Sequence, residues 1–329
     1  MEISASLTGD PTDPAARAMG QFGRTVEQAF LAEIENASQV PLPGSGRTRQ
    51  RFDYLSRVAS IDLAVVRLVE GHLDACAILA ETGGCEPRAA VMGVWAAMSR
   101  EGGLVATPDS RGWRITGLKP YASGATSLTH ALVTAQAPDG NRMFMIDTAG
   151  LEVVPGTWPA LGMRESDSPT VQIDSYIDVD RELGGVDWYM RRPGFWHGSI
   201  GVAACWLGGA RAVAHPLHRA ASPHALAHLG AIDAQLAAAA ALLAASASEI
   251  DDAPSVGGRV AERRARRVRA VVEHAATETL LRVGRALGAA PLCHDGEHAR
   301  RVADLTVYLR QSHAESDLER LGQLIARAP

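Results

Sequence analysis

Residues 112–135, GWRITGLKPYASGATSLTHALVTA, restrict the possible folds more than any other stretch of this chain. Trp113, Ile115 and Leu118 sit among polar residues, and a Gly-Leu-Lys turn leads into Tyr121-Ala-Ser-Gly-Ala. A second apolar run, Ala131-Leu132-Val133, is turned back by Pro138-Asp139-Gly140-Asn141 into Met143–Ile146. Alternation bounded by such turns signals an antiparallel sheet. The sequence on both sides has helical spacing, so the reading is an α+β chain with a small β module between two helical parts.

Residues 14–36 read as one helix, with Phe22, Val26, Phe30 and Ile34 at i, i+4 steps. The PLPGSGR stretch at 41–47 is a loop, and 48–82 is helical again through Leu55, Val58, Leu63, Val66, Leu68, Leu73 and Ile78. Within it, Glu70-Gly71-His72-Leu73-Asp74 either lines a site or marks a tight helix contact at Gly71 with solvated neighbours. Val91–Met98 is an apolar strand, and Val171, Ile173, Ser175 and Ile177 alternate as one buried sheet face requires. After the Gly-rich break at 183–185 come four of the chain's few aromatics, between 188 and 196. Helices then follow from about 198, over 224–250, over 257–287 and from Glu297 through RRVADLTVYLRQSHAESDLERLG. Four helices of this length make an antiparallel bundle. The domains are expected at 1–90, 91–182 and 183–329.

The 329 residues are 47% hydrophobic, enough for a core, and the net charge of −5 gives no support to a nucleic-acid partner. Once Arg, Asp and His interruptions are counted, no apolar stretch is expected to reach the roughly 18 residues of a membrane span. The N-terminus lacks the pattern of a secretory signal, and the four cysteines show no CxxC spacing. A cytoplasmic, reduced protein is expected. No metal is expected, since the His pairs 215/218, 224/228 and 294/298 have no further ligands beside them. The Ala- and Leu-rich centre of the 224–250 helix points to a homodimer or homotetramer.

The order of helical part, β module and bundle resembles the acyl-CoA dehydrogenase family. The likeness is carried by Gly117, Lys119, Tyr121 and Ser123, which match a Gly-x-Lys-x-aromatic-x-Ser/Thr segment, and by the Gly162-Met163-Arg164 segment with its following serines. The resemblance implies a flavin, FAD with FMN as the alternative, held by Ser99, Tyr121, Ser123 and the backbone N–H groups near Gly124 and Ala125. It also implies that Arg219 is the nearest basic residue for the pyrophosphate, without the Phe-Gly partner usual in the family. The N-terminal part is shorter than the family's by some tens of residues.

The family's catalytic glutamate has two usual positions, and by this resemblance they fall at Ser312 or His313 and near His197 and Gly198. Neither holds a carboxylate. His197 and His313 are therefore the candidate proton-transfer residues, the alternative being a helix-entry histidine and an ordinary helix end. The six arginines within 259–269 are read chiefly as a solvated or inter-helix face, the alternative being a phosphate contact. The expected activity is a flavin-dependent oxidoreductase acting on an acyl or related small substrate. The alternatives are a monooxygenase of the same fold and a flavin-free binding paralogue.

Overall fold

The structure, a computed structural model, describes residues 25–84, 86–97 and 103–326. Helix α1 (Val26–Ile34) opens on Thr25, whose side chain accepts from Gln28 N while Gln28 reaches back, a capping box. The part of the expected 14–36 helix before residue 25 lies outside the described residues. The expected helix over 48–82 is two: α2 (Thr48–Ile61) and α3 (Leu63–Thr82). Asp62 separates them, extended at φ −151°, and its carboxylate caps α3 through Ala64 N and Val65 N.

The β module is one sheet of eight strands: β1 (Met92–Trp95), β2 (Val105–Asp109), β3 (Gly112–Lys119), β4 (His130–Ala137), β5 (Gly140–Asp147), β6 (Glu152–Val154), β7 (Thr170–Asp178) and β8 (Glu182–Leu183). Their order is β6-β7-β3-β2-β4-β5-β8, with β1 on β4. Most neighbours are antiparallel, as expected, but β1 runs parallel to β4, with Met92 opposite His130. The apolar run of β4 is buried on both faces: Leu132 packs with Ile78 and Leu79 of α3, while Ala131 and Val133 face the main core. In β7 the expected alternation holds, with Val171, Ile173 and Ile177 buried and Gln172, Asp174 and Tyr176 exposed.

The bundle contains α5 (Pro193–Ala214), α6 (Pro223–Asp252) and α7 (Gly258–Leu287), with the short α4 (Trp188–Arg191) before them. After the short α8 (Ala290–His294) come α9 (Gly296–Tyr308) and α10 (Glu315–Ala326). The last expected helix is therefore broken, by a 3-10 turn at Leu309–Gln311 and by Ala314 at φ +46°. Gly208 lets α5 lie against α2, since a Cβ there would overlap the Ser56 carbonyl. A side chain also ties bundle to sheet. Asp304 of α9 accepts the backbone N–H of Met163 at 2.5 Å and faces Arg300, which in turn is 2.9 Å from Asp62. Burial pushes the Asp304 carboxyl up to about 6.

Helix α6 buries one stripe (Ile232, Leu236, Ala239, Leu243, Ala247, Ile250) and exposes Ala234, Ala237, Ala238, Ala241 and Ala245. Contrary to the expectation, it is long and apolar enough to cross a membrane by length and composition, with a mean hydropathy of 1.5 over its best window. The run of alanines outweighs the few polar positions. On this open apolar face we expect a second copy of the chain to pack. Sedimentation at micromolar concentration should give a species larger than the 34.8 kDa monomer. Ala238→Glu with Ala241→Glu should dissociate it, and a monomeric unmodified protein contradicts the expectation.

Asp304 makes a second expectation. Its folded-state pKa lies above the ordinary carboxylate value, so between about pH 4 and 6 the native state holds a proton that the unfolded chain has lost. Its contribution to stability is fully present below that window and is lost as pH rises through it. Asp304→Asn keeps an acceptor for Met163 N and should flatten the stability profile across the window by about 1–2 kcal/mol, allowing for partial solvent screening. An unchanged slope in denaturant titrations over that pH range would contradict it.

Candidate functional site

The inward face of β3 carries Trp113, Ile115, Gly117 and Lys119. Lys119 is buried, and its Nζ donates to Ala97 O at 2.9 Å and to Thr134 Oγ1 at 3.2 Å. Burial lowers its pKa to about 8. This lysine ties β3 to the end of β1 and to β4 rather than offering a charge to a ligand. Two residues on, Tyr121 takes φ +57°, which turns the chain out of the sheet. Its ring is 59% exposed and stands edge-to-face with Trp158, centroids 6.5 Å apart. Leu161, close along the chain to Trp158, is 84% exposed, which makes this lip of the β module apolar.

Ser123 turns inward. Its Oγ accepts from Ser168 Oγ at 2.9 Å, and Ser168 Oγ lies 2.8 Å from Ser166 Oγ. The backbone N–H of Gly124 donates to Asp167 O at 2.8 Å, and that of Ala125 to the same oxygen at 3.2 Å. The N–H groups expected to face a ligand are therefore spent on the 163–169 loop. The Ser123 hydroxyl proton remains available, because this serine enters the knot as an acceptor. Ser123 also walls a small cavity of ≈ 10 Å³ shared with Arg67, Gly71, Gly93 and Leu128, room for about one water.

The expected tight helix contact at Gly71 is not seen: a Cβ there would meet strand β1 at an ordinary 3.9 Å from Gly93 Cα. Nor are its neighbours solvated. Arg67 Nη1 is 2.7 Å from Glu70 Oε2, with both side chains largely buried. One turn on, Asp74 Oδ1 is 3.3 Å from Arg192 Nη2, and Glu81 Oε1 is 2.8 Å from Arg192 Nη1. Burial pushes the Glu70 carboxyl up, against the pull of Arg67. His72 points the other way, and its Nδ1 accepts from Met92 N at 3.2 Å. The ring proton of neutral His72 is then on Nε2, toward Cys76 Sγ at 3.7 Å. His72, Cys76 and Glu86 bring three potential metal-ligand atoms within 4.8 Å, but this tautomer turns an N–H toward the group, the wrong polarity for a cation.

His197, in the second turn of α5, is 3% exposed, and its Nε2 has no hydrogen-bond partner. Burial, with Arg264 and Arg192 nearby, lowers its pKa to about 4, so the ring is neutral at neutral pH. The His313 side chain is 78% exposed, with Nδ1 3.7 Å from Asp317 Oδ1. The two histidines are linked only at a distance: Arg266 lies over the Trp196 ring and bonds Asp317 at 2.6 Å. Arg219 is exposed in the turn after α5, and no bond ties it to the Tyr121 lip. Ser99 lies outside the described residues. The arginine run of α7 is only partly solvated: Arg264 is buried, and Arg269 donates to Ser199 O at 3.0 Å and Gln311 O at 2.8 Å. Trp158, Arg67 and Arg192 escaped the sequence reading, since each gains its role from a partner remote in the chain.

Neither a family model nor a curated protein matches the sequence. Solved structures match by shape. TdsC from Paenibacillus sp. A11-2, a dibenzothiophene monooxygenase crystallised with FMN and indole, superposes with a TM-score of 0.76 at 18% identity, over 96% of this chain and 98% of its own. XiaF from Streptomyces sp., in complex with FADH2 and glycerol, gives 0.73 at 20% identity, over 96% and 92%. The HsaA monooxygenase from M. tuberculosis gives 0.69 at 17%, over 91% and 95%. At such identities the likeness is one of fold: this chain has the acyl-CoA dehydrogenase-like fold.

Proposed function

We propose that the protein is a flavin-dependent oxidoreductase, and more narrowly a monooxygenase acting on a small organic substrate. The observation that carries this reading is the near full-length likeness to TdsC and XiaF, whose structures hold FMN and FADH2. The Tyr121 lip fits a flavin: it offers an exposed aromatic face, steadied by Trp158, in a chain with only 5% aromatics. The exposed Arg219, with no Phe-Gly partner, makes FMN as suitable as FAD. When bound and reduced, the flavin would supply two electrons to O₂, one oxygen atom entering the substrate and the other leaving as water. The chain's own part is to seat the ring, exclude water and manage protons, and His313 is the one of the two histidines open to solvent exchange.

The dehydrogenase reading is weaker because it needs a carboxylate base. Positions 197, 198, 312 and 313 hold none. Asp74 does come within 2.9 Å of where a side chain on Gly198 would begin, but Arg192 engages it.

Fluorescence titration with FMN and FAD, followed by oxygen uptake with the reduced flavin, tests the reading. Tyr121→Ala should weaken flavin binding by about 1–2 kcal/mol, the scale of a lost stacking surface. No flavin affinity in the unmodified protein would leave the flavin-free paralogue. Rapid oxidation of a saturated acyl-CoA without oxygen insertion would favour the dehydrogenase.

A further inference from the structure

Helices α5 and α7 run parallel with their starts side by side: a Cβ on Gly257, the residue before α7, would lie 3.4 Å from Pro193, the first residue of α5. Further along, Arg269 reaches back to Ser199 O at 3.0 Å, as side chains tilted toward a helix N-terminus do. By the same offset Arg264 comes alongside the first two turns of α5. Neither helix has a side-chain N-cap bond. Two positive helix ends therefore meet there. The Glu81 carboxylate already lies against Gly194 at the α5 end, so a further anion is favoured on the α7 side.

Several buried nitrogens gathered there lack partners. Arg264 is 8% exposed, and neither its Nε nor its Nη2 has a hydrogen-bond partner. Its nearest carboxylate is Glu249, 3.8 Å from Nη1 and itself 65% exposed. His197 Nε2 and Arg192 Nε are also buried without partners. The other acidic groups nearby are engaged. Asp74 and Glu81 hold the two terminal nitrogens of Arg192, and Asp251 accepts from Thr48 N, Thr48 Oγ1 and Gly46 N. A buried guanidinium with an idle Nε/Nη2 edge is costly, and that edge matches two oxygens of one carboxylate or phosphate.

We infer that Arg264 and His197 form a buried oxyanion site at the paired N-termini of α5 and α7, which takes a carboxylate or phosphate group through the Arg264 Nε/Nη2 edge. The inference does not rest on the flavin reading.

Thermal unfolding of the full chain at fixed ionic strength, in acetate, phosphate or chloride, tests this. Acetate or phosphate at about tenfold its dissociation constant should raise Tm by roughly 2–4 °C, with a similar further rise for each additional tenfold and no such rise in chloride. The more effective of the two oxyanions identifies the group the site prefers. Arg264→Gln and His197→Gln should each abolish or sharply reduce the response. An equal response to chloride, no response at all, or a full response in Arg264→Gln would overturn the proposal. Should Arg264→Gln fail to fold, NMR of the His197 ring in the unmodified protein decides: its Nε2 signal must shift with the oxyanion, and an unmoved signal overturns the site.

Discussion

Helix α3 is enclosed almost along its whole length, and the rest of the fold is built on that enclosure. On one face Ala75, Ile78 and Leu79 meet Met92 of β1 and Leu132 of β4. The adjoining face carries Arg67, Glu70 and Asp74, of which Asp74 pairs with Arg192 at the start of α5. Burying such charges is tolerable only when each finds a partner in fixed geometry. Arg192, 1% exposed at its side chain, answers two carboxylates of α3 at once and so sets where α5 begins. Removing one member of such a pair typically costs about 3–5 kcal/mol, because the other is left buried and uncompensated. The hydrophobic face thus supplies adhesion, and the charged face fixes register.

Much of this architecture is legible in the sequence. The β module, its turns and the alternation of β7 follow from side-chain period and turn chemistry, and the long bundle helices from apolar spacing. Two breaks are not: Asp62 reads as one more polar helix residue until its carboxylate is seen capping α3, and Ala314 gives no sign of its left-handed backbone. The parallel pairing of β1 also escapes, since four apolar residues do not declare a direction. Of the site, Tyr121 and Ser123 were legible from their motif, but not that one faces out and the other in. That difference arises from the 163–169 loop, whose backbone oxygens consume the N–H groups of Gly124 and Ala125.

The N-terminal helices, the sheet and the bundle share one apolar core, and a few directed contacts fix how they sit on it. Asp304 fixes the loop that holds Ser123, and Arg300 carries the same link on to Asp62 at the start of α3. A shift of α9 would therefore be felt both at the serine knot and at the cap of the buried helix. The geometry around the Tyr121 lip depends in this way on residues that never touch it.

The parallel partnership of β1 and β4 has a consequence for how the chain acquires this shape. The pairs β2–β3 and β4–β5 are adjacent in sequence and close through short turns, so they can form locally and early. Met92 and His130, by contrast, are brought together across all of β2 and β3, and β7 must reach β3 from farther still. Contacts so distant in sequence carry a loop-closure cost before they return any stability. The strand that seats the buried helix is then among the last to be locked. Until it is, the apolar face of β4 stands open, and the interval before closure is when this chain is most exposed to aggregation.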